Sequence, residues 1–423
     1  MTRRFHNPRV VKIYRVGGSV RDELLGRAVV DRDWVVVGAT PEILIASGYK
    51  PVGRDFPVFL HPDTREEYAL ARTERKHGRG YHGFEFFASP DVTLAEDLAR
   101  RDLTINAMAR DDQGALIDLF GGEADLRAGI LRHVSPAFVE DPLRVLRVAR
   151  FAARFGFVVA PETQALMRNL VASGELAELL SERVWQELAR GLMERHPARM
   201  LSVLRDCGAL AQVLPEVDAL YGPGPVAHPL EGDPAALLSR ALEYAAVREF
   251  SLPVRYAVVA RALGSTESIA ASGPSRRRLM MRGARLAETM SSRLKVPVEC
   301  RDAARLVARW HATVDRAAAL PPVKLLDLVT AADALRRPER LDALLNACEC
   351  AAQSRQGASE DYAPARIVRA ALVIVKKVAA GAIAHAVTEQ RKLSAAERAN
   401  AIGKAVRAAR LKALRAWRRA GLP

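Results

Sequence analysis

The sequence predicts an α+β protein: a small head with a mixed β-sheet over residues 1–137, followed by an all-helical neck, body and tail. Two observations carry this. Over the first third of the chain, short β-branched runs alternate with Gly, Pro and Asp breaks. From about Phe138 they give way to Ala/Leu/Arg-rich stretches with helical spacing. At 423 residues the chain is long enough for two to four packed regions.

Taken in order, Val10–Val16 alternates as a strand and is broken by Gly17-Gly18. Ser19 to Leu25 reads as a short helix closed by Gly26. Asp31–Val37 is a second strand, followed by a helix initiated at Pro41, and further strands are expected at Val58–His61 and Glu67–Arg72. Arg72–Phe84, with Gly78, Gly80 and Gly83 among basic residues, reads as a mobile loop. Gly/Pro/Ser-rich breaks near Tyr221–Pro229, Gly264–Pro274 and Gln353–Pro364 then divide the helical part. They give a neck over 138–220, a body over 221–355 and a tail over 356–423.

Composition excludes several classes. No run of 18 apolar residues occurs, so no membrane span is expected. The basic start leads into no apolar signal core, which points to a cytoplasmic protein. Four scattered cysteines, Cys207, Cys300, Cys348 and Cys350, fit reduced structural thiols rather than a disulfide framework. The formal net charge of +15 suggests a polyanionic partner. From Pro364 to Pro423 there are 14 Lys/Arg against two acids, Glu389 and Glu397. Such a block is ordinarily a solvated face, but behind a head that handles phosphates it suits RNA backbone contact.

The chemistry concentrates in the head. Gly17-Gly18-Ser19-Val20-Arg21-Asp22 follows a strand and opens a helix. A glycine pair there lets backbone N–H groups approach phosphate oxygens, and Arg21 can clamp a triphosphate. Asp31 and Asp33 stand at i and i+2, so on a strand both carboxylates share one face. Two adjacent acids repel unless a cation lies between them, and hard oxygens suit Mg²⁺ with phosphates as co-ligands. Each piece alone is weak; the strand–turn–helix–strand order makes the set specific. Further along, Arg144, Arg147, Arg150 and Arg154 are spaced 3, 3 and 4 apart and fall on one helix face. On an isolated helix that would be a solvated basic stripe.

With these residues in view, the chain resembles the bacterial tRNA nucleotidyltransferase/poly(A) polymerase family, class II of the polymerase β superfamily, and within it the CCA-adding enzymes. Three more segments carry the likeness: Gly53-Arg54-Asp55-Phe56-Pro57-Val58-Phe59, Arg100-Arg101-Asp102-Leu103-Thr104-Ile105-Asn106-Ala107 and Glu140-Asp141-Pro142-Leu143-Arg144 through Arg150. The loop from Arg72 to Phe84 also corresponds to the family's, and the resemblance spans about residues 12–220.

What the resemblance implies is a polymerase β-like nucleotidyltransferase head that adds CCA to the 3′ end of tRNA from CTP and ATP, without a template, by two-metal-ion transfer with release of pyrophosphate. Asp31 and Asp33 would hold Mg²⁺, and Glu67 would supply a third carboxylate, with Glu66 standing beside it. Gly18, Arg21 and Arg101 would bind the nucleotide's phosphates and sugar. Asp141 and Arg144 would act as an amino-acid template, with Arg147 and Arg150 on the same helix. Cytosine and adenine each present an amino donor beside a ring-nitrogen acceptor, matching a carboxylate next to a guanidinium; uracil and guanine do not. The basic tail would contact tRNA. Alternatives are a poly(A) polymerase, a CC-only or A-only enzyme, and a non-catalytic RNA-binding protein. Longer relatives carry a metal-dependent phosphohydrolase domain marked by a His-Asp pair. Here the best-aligned segment, Val254–Gly264, carries Ala260-Arg261 in its place, and with only His228 and His311 nearby the body is expected to be a degenerate form that has lost that activity.

Overall fold

The structure is a computed structural model that describes residues 11–52, 58–76, 84–222, 233–263, 274–355, 361–390 and 394–421. The chain divides into two compact units, 1–213 and 214–423. The expected hinge segments lie largely outside the described residues, as do 53–57 of the Gly53–Phe59 segment and 77–83 of the expected loop.

The first unit is built on a seven-stranded mixed sheet. In chain order its elements are β1 (Lys12–Val16), α1 (Gly18–Leu24), β2 (Asp33–Val37), α2 (Pro41–Ala46), β3 (Lys50–Val52), β4 (Val58–Leu60), β5 (Glu67–Leu70), β6 (Arg72–Lys76), β7 (Phe84–Ala88) and α3 (Leu94–Ala99). They continue with β8 (Met108–Arg110), β9 (Leu116–Asp118), α4 (Gly122–Ala128), β10 (Ile130–Leu131), α5 (Leu143–Phe155), β11 (Val158–Val159), α6 (Pro161–Ala172), α7 (Ser181–Met193), α8 (Pro197–Asp206) and α9 (Ala209–Val213). The strand order is β3-β4-β5-β2-β1-β8-β9, with β2 and β5 parallel and the other pairs antiparallel.

Strand alternation assigns the two faces. Val16, Val35, Ala71 and Leu98 pack on one face, with Val92, Ala107 and Ala109. Val36, Leu44, Phe59, Tyr68 and Leu70 pack on the other, where Trp34 and Tyr49 join them. Asp33 therefore shares the Val35 face, and Trp34 takes the opposite one. Short helix α3 is fixed by a capping box: Thr93 accepts from the Glu96 N–H at 3.2 Å while Glu96 accepts from the Thr93 N–H at 2.8 Å.

The elements depart from the sequence reading in four places. The second strand begins at Asp33, not Asp31. The expected strand Glu67–Arg72 divides at Ala71, where the chain leaves the main sheet and starts the β6–β7 ribbon. That ribbon occupies both ends of the stretch expected to be a loop. Beyond Phe138, β11 pairs parallel with β10, so the neck is not wholly helical; strands of two residues leave no periodicity to read.

The second unit is helical among the described residues: α10 (Pro215–Asp218), α11 (Pro234–Val247), α12 (Leu252–Ala262), α13 (Pro274–Arg293), α14 (Val298–Val314), α15 (Pro322–Ala331), α16 (Pro338–Gln353), α17 (Ala363–Lys376), α18 (Ala380–Gln390) and α19 (Ala395–Arg419). All four cysteines are buried and unpaired. No helix among the described residues is long and apolar enough to cross a membrane.

Two glycines test this packing in opposite directions. A Cβ on Gly122, at the start of α4, would stand 2.3 Å from the Thr104 carbonyl oxygen, so Gly122→Ala is expected to destabilise the first unit by about 1–3 kcal/mol. A Cβ on Gly403, within α19, meets nothing within 4 Å, and Gly403→Ala should be neutral or stabilising by up to about 1 kcal/mol. Denaturant unfolding of both variants checks the pair; equal effects would contradict it.

Candidate nucleotide-binding site

The first strand and helix meet at a backbone turn that only glycine makes easily. Gly17 has φ 72° and ψ −130°, and a Cβ there would lie 2.8 Å from Arg101 Nη1. The constraint falls on Gly17, whereas the sequence assigned the phosphate contact to Gly18. Gly18, the first residue of α1, also lines the site but has ordinary space around it.

A cavity of about 580 Å³ opens beside this turn. Of the residues singled out from sequence, Gly18, Arg21, Asp33, Glu67, Arg101, Asp141, Arg144, Arg147 and Arg150 all line it. Asp31 does not: it lies two residues before Asp33, ahead of the first residue of β2. Glu67 is in register with Asp33 on the neighbouring parallel strand, which puts the two on one face. Glu66 lies on the other: it accepts from Trp34 Nε1 at 2.8 Å and pairs with Arg32.

Burial pushes the Asp33 carboxyl above its usual range; nearby Asp31 adds to this and Arg101 opposes it. This is the electrostatic condition that a divalent cation relieves. Among the described residues no group of three or more His, Cys, Asp or Glu forms a metal cage. Paired acids facing an open cavity nonetheless fit a hard cation that takes its remaining ligands from phosphate and water.

The arginines of α5 are not a solvated stripe. Arg144 and Arg150 are buried, and each of the four has a fixed partner. Arg144 donates to the carbonyls of Ala137 at 2.7 Å and Arg100 at 2.5 Å. Arg147 donates from Nε to Asp102 at 2.8 Å, and Arg150 from Nε to Glu187 on α7 at 2.6 Å. Arg154 reaches back to Asp22 at 3.0 Å. Phe151 and Phe155 lie between them: the Arg150 guanidinium is 4.4 Å from the Phe151 ring centre and that of Arg21 is 4.9 Å from Phe155. Arg21 itself is buried, held by Asp22 and by the Asn106 side chain. Asp141 accepts from the Leu143 N–H at 3.0 Å and faces Arg183 of α7 at 3.5 Å.

Sequence reasoning missed the groups that orient these cations. Asp102 accepts from Arg147, from the Asn106 amide at 3.0 Å and from the Leu103 N–H at 2.8 Å. Burial works against its charged form, but Arg147, Asn106 and Arg144 outweigh that and hold its pKa at about 2. Asp102 stood inside a quoted motif, so the signal existed. For Glu187 and Arg183 no local pattern announced a partner some 40 positions away.

Residues 13–132 match the family described as "Poly A polymerase head domain", and residues 156–221 match "Probable RNA and SrmB- binding site of polymerase A". The chain is 56% identical over 409 residues to the "Multifunctional CCA protein" of Azoarcus sp. (strain BH72), covering 96% of this chain and 98% of that protein. It is 55% identical over 376 residues to the protein of the same name from Nitrosospira multiformis, covering 88% and 91%. Among solved structures, the CCA-adding enzyme of Bacillus stearothermophilus in complex with CTP superimposes with a TM-score of 0.63 at 25% identity, over 94% of this chain and 88% of that one. A CCA-adding enzyme solved with ATP shares the fold, with a TM-score of 0.62 at 21% identity, over 96% and 86%.

The depressed pKa of Asp102 has a consequence for stability. A carboxyl near 2 in the folded state against about 3.9 in the unfolded chain contributes stability that is complete above pH 4 and is lost as pH falls through 2. Asp102→Asn is therefore expected to cost about 2–3 kcal/mol at pH 7, and the gap between variant and wild type should narrow from pH 4 to pH 2. Denaturant midpoints across that range measure it.

Proposed function

The chain belongs to the multifunctional CCA protein family, and from that premise we propose that it adds the 3′-terminal CCA of tRNA from CTP and ATP without a nucleic-acid template. One observation carries the reading: a single cavity bears paired carboxylates, Asp33 and Glu67, a set of buried arginines, and the Asp141–Arg144 pair at the start of α5.

The tRNA 3′-hydroxyl attacks the α-phosphate; the new O–P bond forms as the bond to the β-phosphate oxygen breaks, and pyrophosphate leaves. Asp33 and Asp31, with Glu67 across the strand pair, are the residues that would hold divalent ions, taken here as Mg²⁺, which supply charge neutralisation and an acidified attacking hydroxyl. Gly18 leaves the backbone open to the triphosphate, and Arg21 and Arg101 offset its charge. Asp141 accepts from the amino group of cytosine or adenine, and Arg144 donates to the adjacent ring nitrogen. Two of the five N–H donors of Arg144 are spent on carbonyls, which fixes the plane of the guanidinium before a base arrives. A uracil or guanine would set carbonyl against carboxylate and leave buried groups unpaired, which is costly. Arg147 and Arg150 complete the cationic wall.

The head (1–137) performs transfer, the neck (138–220) reads the base, and the body (221–355) and tail (356–423) bind tRNA, in keeping with the cations crowding the last 60 residues. The work is placed in the cytoplasm. The phosphohydrolase activity is read as lost: Arg261 of α12, where the His-Asp pair would stand, donates to Asp315 at 3.2 Å while the Tyr362 hydroxyl donates to that carboxylate's other oxygen at 2.6 Å. A fixed cation thus already neutralises that acid.

Incubation with tRNA lacking its terminal CCA tests the main reading. CTP with ATP should give CCA and stop; a long A-tract would favour a poly(A) polymerase, and arrest at CC a CC-only enzyme. Asp33→Ala should lower incorporation by about 10³-fold or more with tRNA binding retained. For the body, no metal-dependent phosphate release from 2′- or 2′,3′-cyclic nucleotides is expected; measurable release would overturn that part.

A further inference from the structure

The carboxylate of Asp97, on α3, is completely buried and stands behind the cavity wall rather than in it. Its two oxygens collect donors from three directions. Oδ1 accepts from the backbone N–H of Arg72 at 3.3 Å and from Arg100 Nη2 at 2.6 Å and Nε at 3.2 Å. Oδ2 accepts from Arg101 Nη2 at 3.2 Å. Arg100 Nε also donates to the Arg72 carbonyl at 3.0 Å, so both backbone groups of Arg72 are gripped where β5 hands over to β6.

Each partner leads back to the cavity. Arg101 donates to the Asn106 carbonyl at 3.4 Å, beside Gly17, and its charge acts on Asp33. The backbone carbonyl of Arg100 receives Arg144 Nη2 at 2.5 Å. Arg72 opens β6, separated only by Ala71 from the strand that carries Glu67. One carboxylate therefore connects the end of that strand and the stem of the ribbon, the cation beside Gly17, and the segment whose carbonyl orients Arg144. An apolar side chain would fill the same space with no desolvation cost. What it cannot do is hold two sequence-adjacent guanidinium groups, which repel each other and otherwise turn outward to solvent.

We propose that Asp97 is a positioning residue for nucleotide selection, acting through Arg101 on the triphosphate and through Arg100 on Arg144. The inference rests on the reading above that Arg101 and Arg144 meet the nucleotide. Asp97 touches no substrate in this scheme.

The test is a double-mutant cycle on the full-length protein. Asp97→Asn keeps the side chain's size and removes its charge; it is compared with Arg101→Ala and with the double variant. For each, KM and kcat are measured for CTP on tRNA lacking CCA and for ATP on tRNA ending in CC, with a thermal unfolding curve alongside. Asp97→Asn is expected to raise KM for both nucleotides about tenfold while kcat falls less than about threefold. The double variant should lose clearly less than the product of the two single losses, because the Arg101 route is already gone in Arg101→Ala and only the Arg100–Arg144 route is left to lose. Losses that multiply, or a KM unchanged in a folded Asp97→Asn protein, overturn the proposal. If Asp97→Asn does not fold, Arg100→Lys carries the test, since it keeps the charge and loses the fork over Asp97 and Arg72. It should reduce the preference for CTP over UTP by about fivefold or more, within the range that one misaligned polar contact costs. An unchanged preference overturns the link to Arg144. A wild-type protein that adds neither nucleotide removes the functional reading itself; a wild type that adds both, with unaffected variants, removes only the role of Asp97.

Discussion

The constraint on which the first unit depends is mutual repulsion among the arginines gathered around one cavity. Arg21, Arg101, Arg144, Arg147 and Arg150 all line it, and two such charges about 6 Å apart repel by about 3 kcal/mol at an effective dielectric constant of 20. The fold answers with counter-charges in and behind the wall: Asp102 against Arg147 within the lining, and behind it Asp22 between Arg21 and Arg154, Asp97 under Arg100 and Arg101, and Glu187 against Arg150. Phe151 and Phe155 fill the space between guanidinium planes. The acids neutralise enough charge for the arginines to be held in place, and the open side of the cavity keeps a cationic character suited to a triphosphate. Removing one acid from such a lattice leaves an uncompensated buried cation, which is why the acids are as consequential as the groups they orient.

The sheet contributes a different kind of control. Alternation along β2 sends Asp33 toward the cavity and Trp34 into the opposite core, and the parallel register with β5 repeats the separation one strand over. Glu67 joins Asp33, while Glu66 is tied to Trp34 and Arg32. A one-residue slip of β5 would exchange the two glutamates, so the aromatic stack of Trp34 on Tyr68, at 5.4 Å, also guards the register of the acidic pair. Packing on one face of the sheet thus fixes chemistry on the other.

Much of the site was legible in the chain because local geometry and chemistry coincide there. The Gly17-Gly18 break is a matter of residue type, and the 3-3-4 spacing of the α5 arginines follows from the rise and twist of a single helix, whereas of the i and i+2 aspartates only Asp33 lies on the strand and lines the cavity. The first strand and helix were placed to within about two residues at their ends, the usual uncertainty of element boundaries. The ribbon after Arg72, the two-residue strands β10 and β11, and the start of β2 at Asp33 were not, since short or irregular pairings leave little periodic signal. Between Glu66 and Glu67 the sequence alone had no means of choosing.

By itself, the sequence determined the ingredients and their order: a glycine turn after a strand, two nearby acids, a basic helix and a cation-rich end, a set that suits phosphate chemistry. Those features depend only on residue type and near-neighbour spacing. Tertiary structure decided which of the charges face the cavity and which stand behind it. Asp97 with Arg72, Asp102 with Arg147, and Glu187 with Arg150 are joined across 25, 45 and 37 positions. The partners in each pair, a backbone N–H in the first and a guanidinium in the other two, meet these carboxylates only once folding has closed that distance, so no reading of local pattern assigns them to one another.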